Sequence, residues 1–376
     1  MITVRPGSHV LRLLQLLSVA GEMPVSTLSL LGSGRVLLAL AHKLESVQDI
    51  RFEASGQVLR VKLLQISGRK GRRSIRLYKK GLAALDLLRP GLYNWYMDRF
   101  RNHNFTNDLS HTERNHRVAE AIAACFVAGV ETDPYTLPLL QKEAIRRTVP
   151  DTPCFYVARD FKNTADETNK TMYARIVGSL FYPGGCFAVY NTRNAVMKWN
   201  GLGEVKASAN LQELARMNAG IDEVSSALLF GNNAEVALKT ILESDKSRRL
   251  ELRFDRIYRQ VHFIPLDRDG IRLIRLLILP DWNERLLTAL FNNSQRSFNL
   301  GTMEYDAIIG DKMILSHLDG DITRLIRFRE ALSQGTYKAD VVCYPWQAGF
   351  VRSYLSGLAG IRELGMDAVE DTLYVH

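Results

Sequence analysis

Residues 66–81 read ISGRKGRRSIRLYKKG, cations interleaved with glycines and strand-forming residues. From Ala54 to Leu85 there are nine Lys or Arg and no Asp or Glu. The whole chain has 49 Lys plus Arg against 40 Asp plus Glu, so its net charge of +9 resides in this stretch and the remainder is balanced. A local surplus of this kind attracts a polyanion. Alternation in RSIRLY, and in VLRVKLLQI before it, predicts two strands, and Gly68 and Gly71 in SGRKGR supply the turn between them. The stretch is then a hairpin with a basic tip rather than a charged tail.

The sequence on either side gives the hairpin a context. SHVLRLLQLLSVAG sets Val10, Leu13, Leu14 and Leu17 on one helical face, with Ser8 as N-cap. PVSTLSLLG is a second, short helix opened by Pro24 and closed by Gly32. Ser33 is positioned to cap a third, GRVLLALAHKLESV, with Val36, Leu37, Leu40 and Leu44 expected on its buried side. KKGLAALDLLRPG follows the hairpin as a short helix that Pro90 and Gly91 end. Three helices, a basic hairpin and a helix, over residues 7–88, resemble the winged helix-turn-helix of DNA-binding proteins, with SGRKGR as the tip of the wing. The candidate DNA contacts are Arg35 and Lys43 on the third helix, and Arg60, Lys62, Arg69, Lys70, Arg72, Arg73, Arg76 and Lys79 around the wing. Cations meeting phosphate supply affinity without sequence choice, and the leucine-rich third helix offers few donors to read base edges.

Composition bounds the rest. A chain of 376 residues calls for two or three domains, and 46% apolar with 24% charged residues is ordinary for a globular protein. No apolar run reaches the ~20 residues that span a bilayer. Cys125, Cys154, Cys186 and Cys343 are widely spaced, which predicts neither a disulfide framework nor a zinc site and fits a reduced, cytoplasmic protein.

Beyond the aromatic, basic stretch 92–105, NHRVAEAIAACFVAG reads as a helix. Two β-rich runs around Pro183-Gly184-Gly185 then read as a hairpin. NLQELARMN and AEVALKTILES read as helices, SALLFG and QVHFIPL as strands, and DGIRLIRLLIL as either. After Pro280, WNERLLTALF, YDAIIGDKMIL, ITRLIRFREAL and ADVVCYPW continue the mixture, as a third lobe or an extension of the same sheet. The expected class is α/β (α+β overall), with residues 1–90 a winged helix, 91–114 a linker, 115–280 a mixed-sheet domain and 281–376 an α/β extension.

The N-H-R-V-A-E-A helix, the R-I-V-G-S-L-F…F-A-V-Y-N-T-R hairpin, the L-Q-E-L-A-R helix and the A-L-L-F-G strand resemble the replication-relaxation family of plasmids and integrative conjugative elements. The resemblance covers roughly residues 7–265. It implies a winged helix before a restriction-endonuclease-like, PD-(D/E)XK-related domain. That nuclease chemistry needs carboxylates on two adjacent strands to hold a divalent metal. Gly178, Ser179, Val189 and Asn191 stand about where those acids belong, so the domain is expected to be non-catalytic. Lys198, and Glu204 with Lys206, lie downstream as a weak substitute.

Other chemistry finds less support. His103, His111 and His116 lack the triplet spacing of a histidine relaxase, with His111 and His116 read as solvated, and Tyr93 and Tyr96 read as packing or base-stacking residues. Asp267-Arg-Asp269-Gly270 and Asp319-Gly320-Asp321 read as turns with Asp helix caps rather than metal loops. No phosphate-cradling loop or serine-hydrolase elbow is present. The expectation is a DNA-binding protein of a mobile element, acting in replication, transfer or their regulation, without catalysis, cofactor or metal. Double-stranded DNA is the expected partner and no membrane is; a homodimer and replication or transfer proteins are left open as further partners. Two alternatives stand beside it: a DNA-nicking or relaxing enzyme with an atypical metal site in the C-terminal α/β region, and a protein-interaction adaptor.

Overall fold

The computed structural model describes residues 1–69, 71–105, 108–133, 137, 152–162, 173, 175–197, 202–222, 224–246, 253–297 and 304–374. The chain is mixed α/β and divides into two compact units, Met1–Leu137 and Pro138–His376.

Unit 1 begins with β1 (Ile2–Val4) and α1 (His9–Ala20). The Ser8 hydroxyl accepts from Leu11 N at 3.3 Å and caps α1, a contact worth about 1 kcal/mol. Leu13, Leu14 and Leu17 are buried as their spacing predicts. Then come β2 (Glu22–Pro24), α2 (Leu28–Leu31) and α3 (Gly34–Leu44). Ser33 sits at the N-cap of α3 but its side chain makes no capping bond. Two positions on α3, Val36 and Leu40, differ from the sequence expectation. Leu37, Ala41 and Leu44 form the buried stripe, while Val36 is 53% exposed and Leu40 half-buried. Once Leu37 faces the core, the helical rotation of 100° per residue carries its neighbour Val36 off that face.

β3 (Gln48–Phe52), β4 (Val58–Val61), β5 (Leu64–Ser67) and β6 (Ser74–Leu77) follow. VLRVKLLQI, expected as one strand of the hairpin, is therefore two strands in two sheets. β4 pairs with β3 in the order β1-β3-β4, and β5 pairs with β6 in the order β2-β6-β5. The break falls at Leu63, whose N–H bonds the Leu44 carbonyl at 3.0 Å and whose carbonyl accepts from Tyr78 N at 2.8 Å. With Leu63 and Leu64 both fully buried, the chain passes from one sheet to the other through the core.

α4 (Ala84–Leu88), α5 (Leu92–Arg99) and α6 (Leu109–Ala128) complete the unit. The expected linker thus contains all of α5 and the start of α6, and α6 belongs to unit 1 rather than opening the second domain. The reason is its alanine-rich face. Ala119, Ala121, Ala123 and Ala124 are buried, and small side chains let α6 approach β2, α1 and α2 closely.

Unit 2 contains β7 (Cys154–Val157), α7 (Ala158–Lys162), β8 (Ile176–Tyr182), β9 (Gly185–Arg193), α8 (Leu202–Leu214), β10 (Ser226–Gly231), α9 (Ala234–Asp245), α10 (Phe254–Ile257) and β11 (Gln260–Pro265). Its five-stranded sheet has the order β11-β10-β9-β8-β7. β7, β8 and β9 form an antiparallel meander, and β10 and β11 run parallel to β9. β10 is buried along its whole length, as its unbroken apolar run SALLFG requires.

α11 (Arg268–Leu277), which the sequence left between helix and strand, is a helix capped by Asp267. α12 (Trp282–Leu290), β12 (Ala307–Ile309), β13 (Lys312–Ser316), α13 (Ile322–Ser333), β14 (Ala339–Cys343), α14 (Pro345–Leu355), β15 (Gly360–Glu363) and α15 (Met366–Tyr374) follow. The strands form a separate sheet in the order β12-β13-β14-β15, so the C-terminal part is not an extension of the first sheet. The two sheets are stitched where Phe263 N donates to Gly320 O at 2.9 Å and His262 bridges to Asp321.

Candidate functional site

The β5–β6 hairpin carries the basic tip. Gly68 and Gly71 have φ of 97° and 84°, and Arg72 N closes the turn on Arg69 O at 2.9 Å. A Cβ at Gly68 would lie 2.6 Å from Arg72 O, so the turn requires glycine there on steric as well as conformational grounds. The hairpin is tied to the rest of unit 1 at both strands. Glu45, just past α3, accepts from Ile66 N at 3.0 Å, and Ser74 on β6 shares a hydrogen bond of 2.8 Å with His116 of α6. His116, expected in solvent, is buried because it serves this contact; His111 is exposed beside Asp108 at 3.7 Å.

The ten candidate contacts divide by position. Arg69, Arg72 and Lys79 are exposed, and Arg73 is half-buried at the base of the tip. Lys70 lies outside the described residues. Arg35 and Lys43 are exposed on α3, where they share one face with Val36, Ala39 and His42. Arg60 is exposed but stands on β4, opposite Asp49 of β3, and so belongs to the other sheet. Lys62 lies between the sheets with its ammonium 4.9 Å from the Tyr78 ring, a cation–π contact. Arg76 turns inward: its guanidinium lies 5.7 Å from the Phe105 ring, and it sits in register with Glu22 and Gln65. Strand alternation puts Arg76 on the face that α5 and the following turn cover. Of the contacts expected around the wing, Arg60, Lys62 and Arg76 thus lie away from its tip. Among the described residues, Arg35, Lys43, Arg69, Arg72, Arg73 and Lys79 pair with no carboxylate.

The sequence reading missed the segment beside β6. Arg101, Asn102 and His103 have consecutive φ of 48°, 57° and 62°. Three adjacent non-glycine residues in the left-handed region are costly and persist only where surrounding contacts hold them. Here Asn102 N bonds Met97 O at 2.7 Å, and His103 Nδ1 meets the Tyr96 hydroxyl at 3.0 Å. Burial, with Arg76 and Lys79 nearby, pushes His103 below the usual histidine range. Tyr96 is fully buried and serves packing; Tyr93 is half-buried. Arg101 and Asn102 remain exposed. Only the basic–aromatic composition of 92–105 marked this segment in the sequence.

In unit 2, Gly178, Ser179 and Asn191 each have a local role. A Cβ at Gly178 would lie 2.6 Å from Tyr156 O, so β7 and β8 pack too closely there for an aspartate. Ser179 lies 2.9 Å from Cys186 Sγ, and Asn191 accepts from Arg193 N at 3.0 Å. Glu204 is buried and paired with Arg175 at 3.0 Å. Lys198 lies outside the described residues. Among the described residues no three or more His, Cys, Asp or Glu side chains are arranged to hold a metal ion. All four cysteines are buried with free thiols. Asp267 and Asp321 cap their helices as expected, Asp321 accepting from Thr323 N and Arg324 N at 3.0 and 3.3 Å. Among the described residues no helix is long and apolar enough to cross a membrane.

No protein-family model, curated protein or solved structure matches this chain.

Proposed function

We propose that unit 1 is a winged helix-turn-helix that binds double-stranded DNA through the tip of its β5–β6 wing. The observation that carries the reading is the hairpin itself. It exposes Arg69 and Arg72 at a glycine-built turn, with no carboxylate partner among the described residues, in the stretch that holds the chain's whole basic surplus. Two further features support it. β2 lies between α1 and α2 and pairs with β6, so the order is helix, strand, helix, helix, then β3 and β4 of the other sheet, then the two-stranded wing. Arg35, His42 and Lys43 are exposed on α3, the helix that would face the groove.

For unit 2 the reading is a nuclease-like fold that has lost its chemistry. The antiparallel meander β7-β8-β9, then α8 and a strand parallel to β9, is the order the PD-(D/E)XK-like domain has. The residues at the acid positions are Gly178, Ser179, Val189 and Asn191, which favours docking over cleavage. A place in plasmid or mobile-element replication, transfer or their regulation follows from the sequence resemblance.

The test is duplex binding by the purified chain, followed by fluorescence anisotropy across a salt series. Binding that weakens steeply with salt, and weakens further when the tip is neutralised, is the expected result. Duplex affinity that survives neutralisation would overturn the assignment.

A further inference from the structure

Unit 2 holds a polar cleft of about 430 Å³, lined by β8, β9 and β11 of the five-stranded sheet and by α13 with the segments before β12 and α13. That volume falls within the roughly 300–1,000 Å³ typical of small-molecule sites. Its wall includes Arg259, Arg324 and Arg327, with His262, Asp319 and Trp282.

Two of the arginines are already committed. Arg324 donates to Asp306 Oδ1 at 2.6 Å, and Arg327 makes a two-pronged contact with Glu304, both bonds 3.1 Å. Arg259 is exposed, and among the described residues its guanidinium has no carboxylate partner. The paired charges cancel, so Arg259 is the cation left to meet an anionic group.

The acceptors are equally specific. His262 Nδ1 lies 2.9 Å from the Asp319 carbonyl oxygen. A carbonyl only accepts, so Nδ1 carries a proton, which in the uncharged tautomer leaves Nε2 as an acceptor. Asp319 uses Oδ1 to accept from Asp321 N at 3.0 Å. Burial pushes its carboxyl up to about 6. Behind this floor, Asp321 Oδ2, His317 Nε2 and Gln347 Nε2 are buried without a hydrogen-bond partner among the described residues. Trp282 adds a half-buried ring, and Tyr182 stacks on Phe187 with centroids 4.6 Å apart on the same wall.

We propose that this cleft binds a mononucleotide, its phosphate held by Arg259, its sugar hydroxyls and base edge donating to Asp319 and His262, and its base against Trp282. The uncommitted guanidinium suits an anion, the two acceptors suit hydrogen-bond donors, and the indole suits a flat apolar face. A free sugar phosphate satisfies the first two and not the third, and a nucleoside lacks the first. The inference does not depend on DNA binding by unit 1.

Isothermal titration of the full-length protein with AMP, GMP, CMP and UMP, and separately with adenosine and inorganic phosphate, tests it. At least one mononucleotide is expected to bind about tenfold or more tighter than adenosine or phosphate alone. Arg259→Gln should lose about tenfold in mononucleotide affinity while adenosine binding is unchanged. The exposed guanidinium supports no described ion pair, so the thermal midpoint of this variant should match the parent. Trp282→Leu should weaken nucleotides and leave phosphate alone. Absence of mononucleotide binding at about 1 mM, the weak limit of specific recognition, would overturn the proposal. So would mononucleotide affinity that Arg259→Gln does not change.

Discussion

Neutralising the wing tip gives the most direct quantitative test. Replacing Arg69, Lys70, Arg72 and Arg73 together with glutamine removes four cations from one turn. Each phosphate contact on duplex DNA contributes about 0.9 to the slope of log affinity against log salt. If the tip supplies three or four such contacts, its loss lowers the slope by about 2.7–3.6. Between 50 and 200 mM salt, a slope of that size corresponds to roughly 40- to 150-fold in affinity. The fold should be indifferent, since Arg69 and Arg72 are exposed and the glycines that shape the turn remain. Anisotropy with a labelled duplex at four or five salt concentrations, alongside a circular-dichroism melt, reads both quantities. A slope unchanged to within about one contact, with the variant still folded, would show that the tip does not meet phosphate.

Three further outcomes follow from the geometry. Gly68→Ala should cost about 1–2 kcal/mol in urea unfolding, because a Cβ would meet Arg72 O at 2.6 Å in a left-handed backbone; an unchanged midpoint would contradict the turn. Asp306→Ala leaves the Arg324 guanidinium without its 2.6 Å partner and should lower stability by about 3–5 kcal/mol, whereas a loss below about 1 kcal/mol would mean that Glu304 and solvent suffice. The third concerns pH. Burial, with Arg324 and His262 nearby, pushes His317 down to about 3. The unfolded chain therefore takes up this proton first, and stability falls as pH drops from about 6.5 to 3. Asp319, pushed up to about 6, has the opposite sign: the folded state holds the extra proton between about 4 and 6, so its contribution falls as pH rises. The two oppose each other in that window. Asp319→Asn, which keeps an oxygen for Asp321 N, should therefore steepen the loss of stability on acidification by up to about 1.4 kcal/mol per pH unit. Equal pH profiles for parent and variant, measured by thermal midpoint, would rule this balance out.

Much of the secondary structure was legible because its signals are local. The leucine spacing of α1, the Pro183-Gly184 turn between β8 and β9 and the Asp267 and Asp321 caps each involve residues within a few positions of one another. The location of the charge surplus is likewise a property of the chain alone. DGIRLIRLLIL was ambiguous because its apolar residues fit two periods; the Asp267 cap and packing on β11 make it a helix.

What the sequence by itself determined about this protein is where its excess positive charge lies and that a glycine-built turn presents it. Only the tertiary structure decided which of those cations face outward. Arg76 turned in to an aromatic ring and Arg60 fell in a different sheet, because Leu63 passes through the core between β4 and β5. Tertiary packing also drew α6 into unit 1, through contacts such as Ser74 with His116, 42 positions apart. The cleft of unit 2 depends on partners as distant as His262 and Asp319, separated by 57 positions. Periodicity and turn chemistry act over a few residues, whereas burial and charge pairing are settled by whichever distant segments the fold brings together.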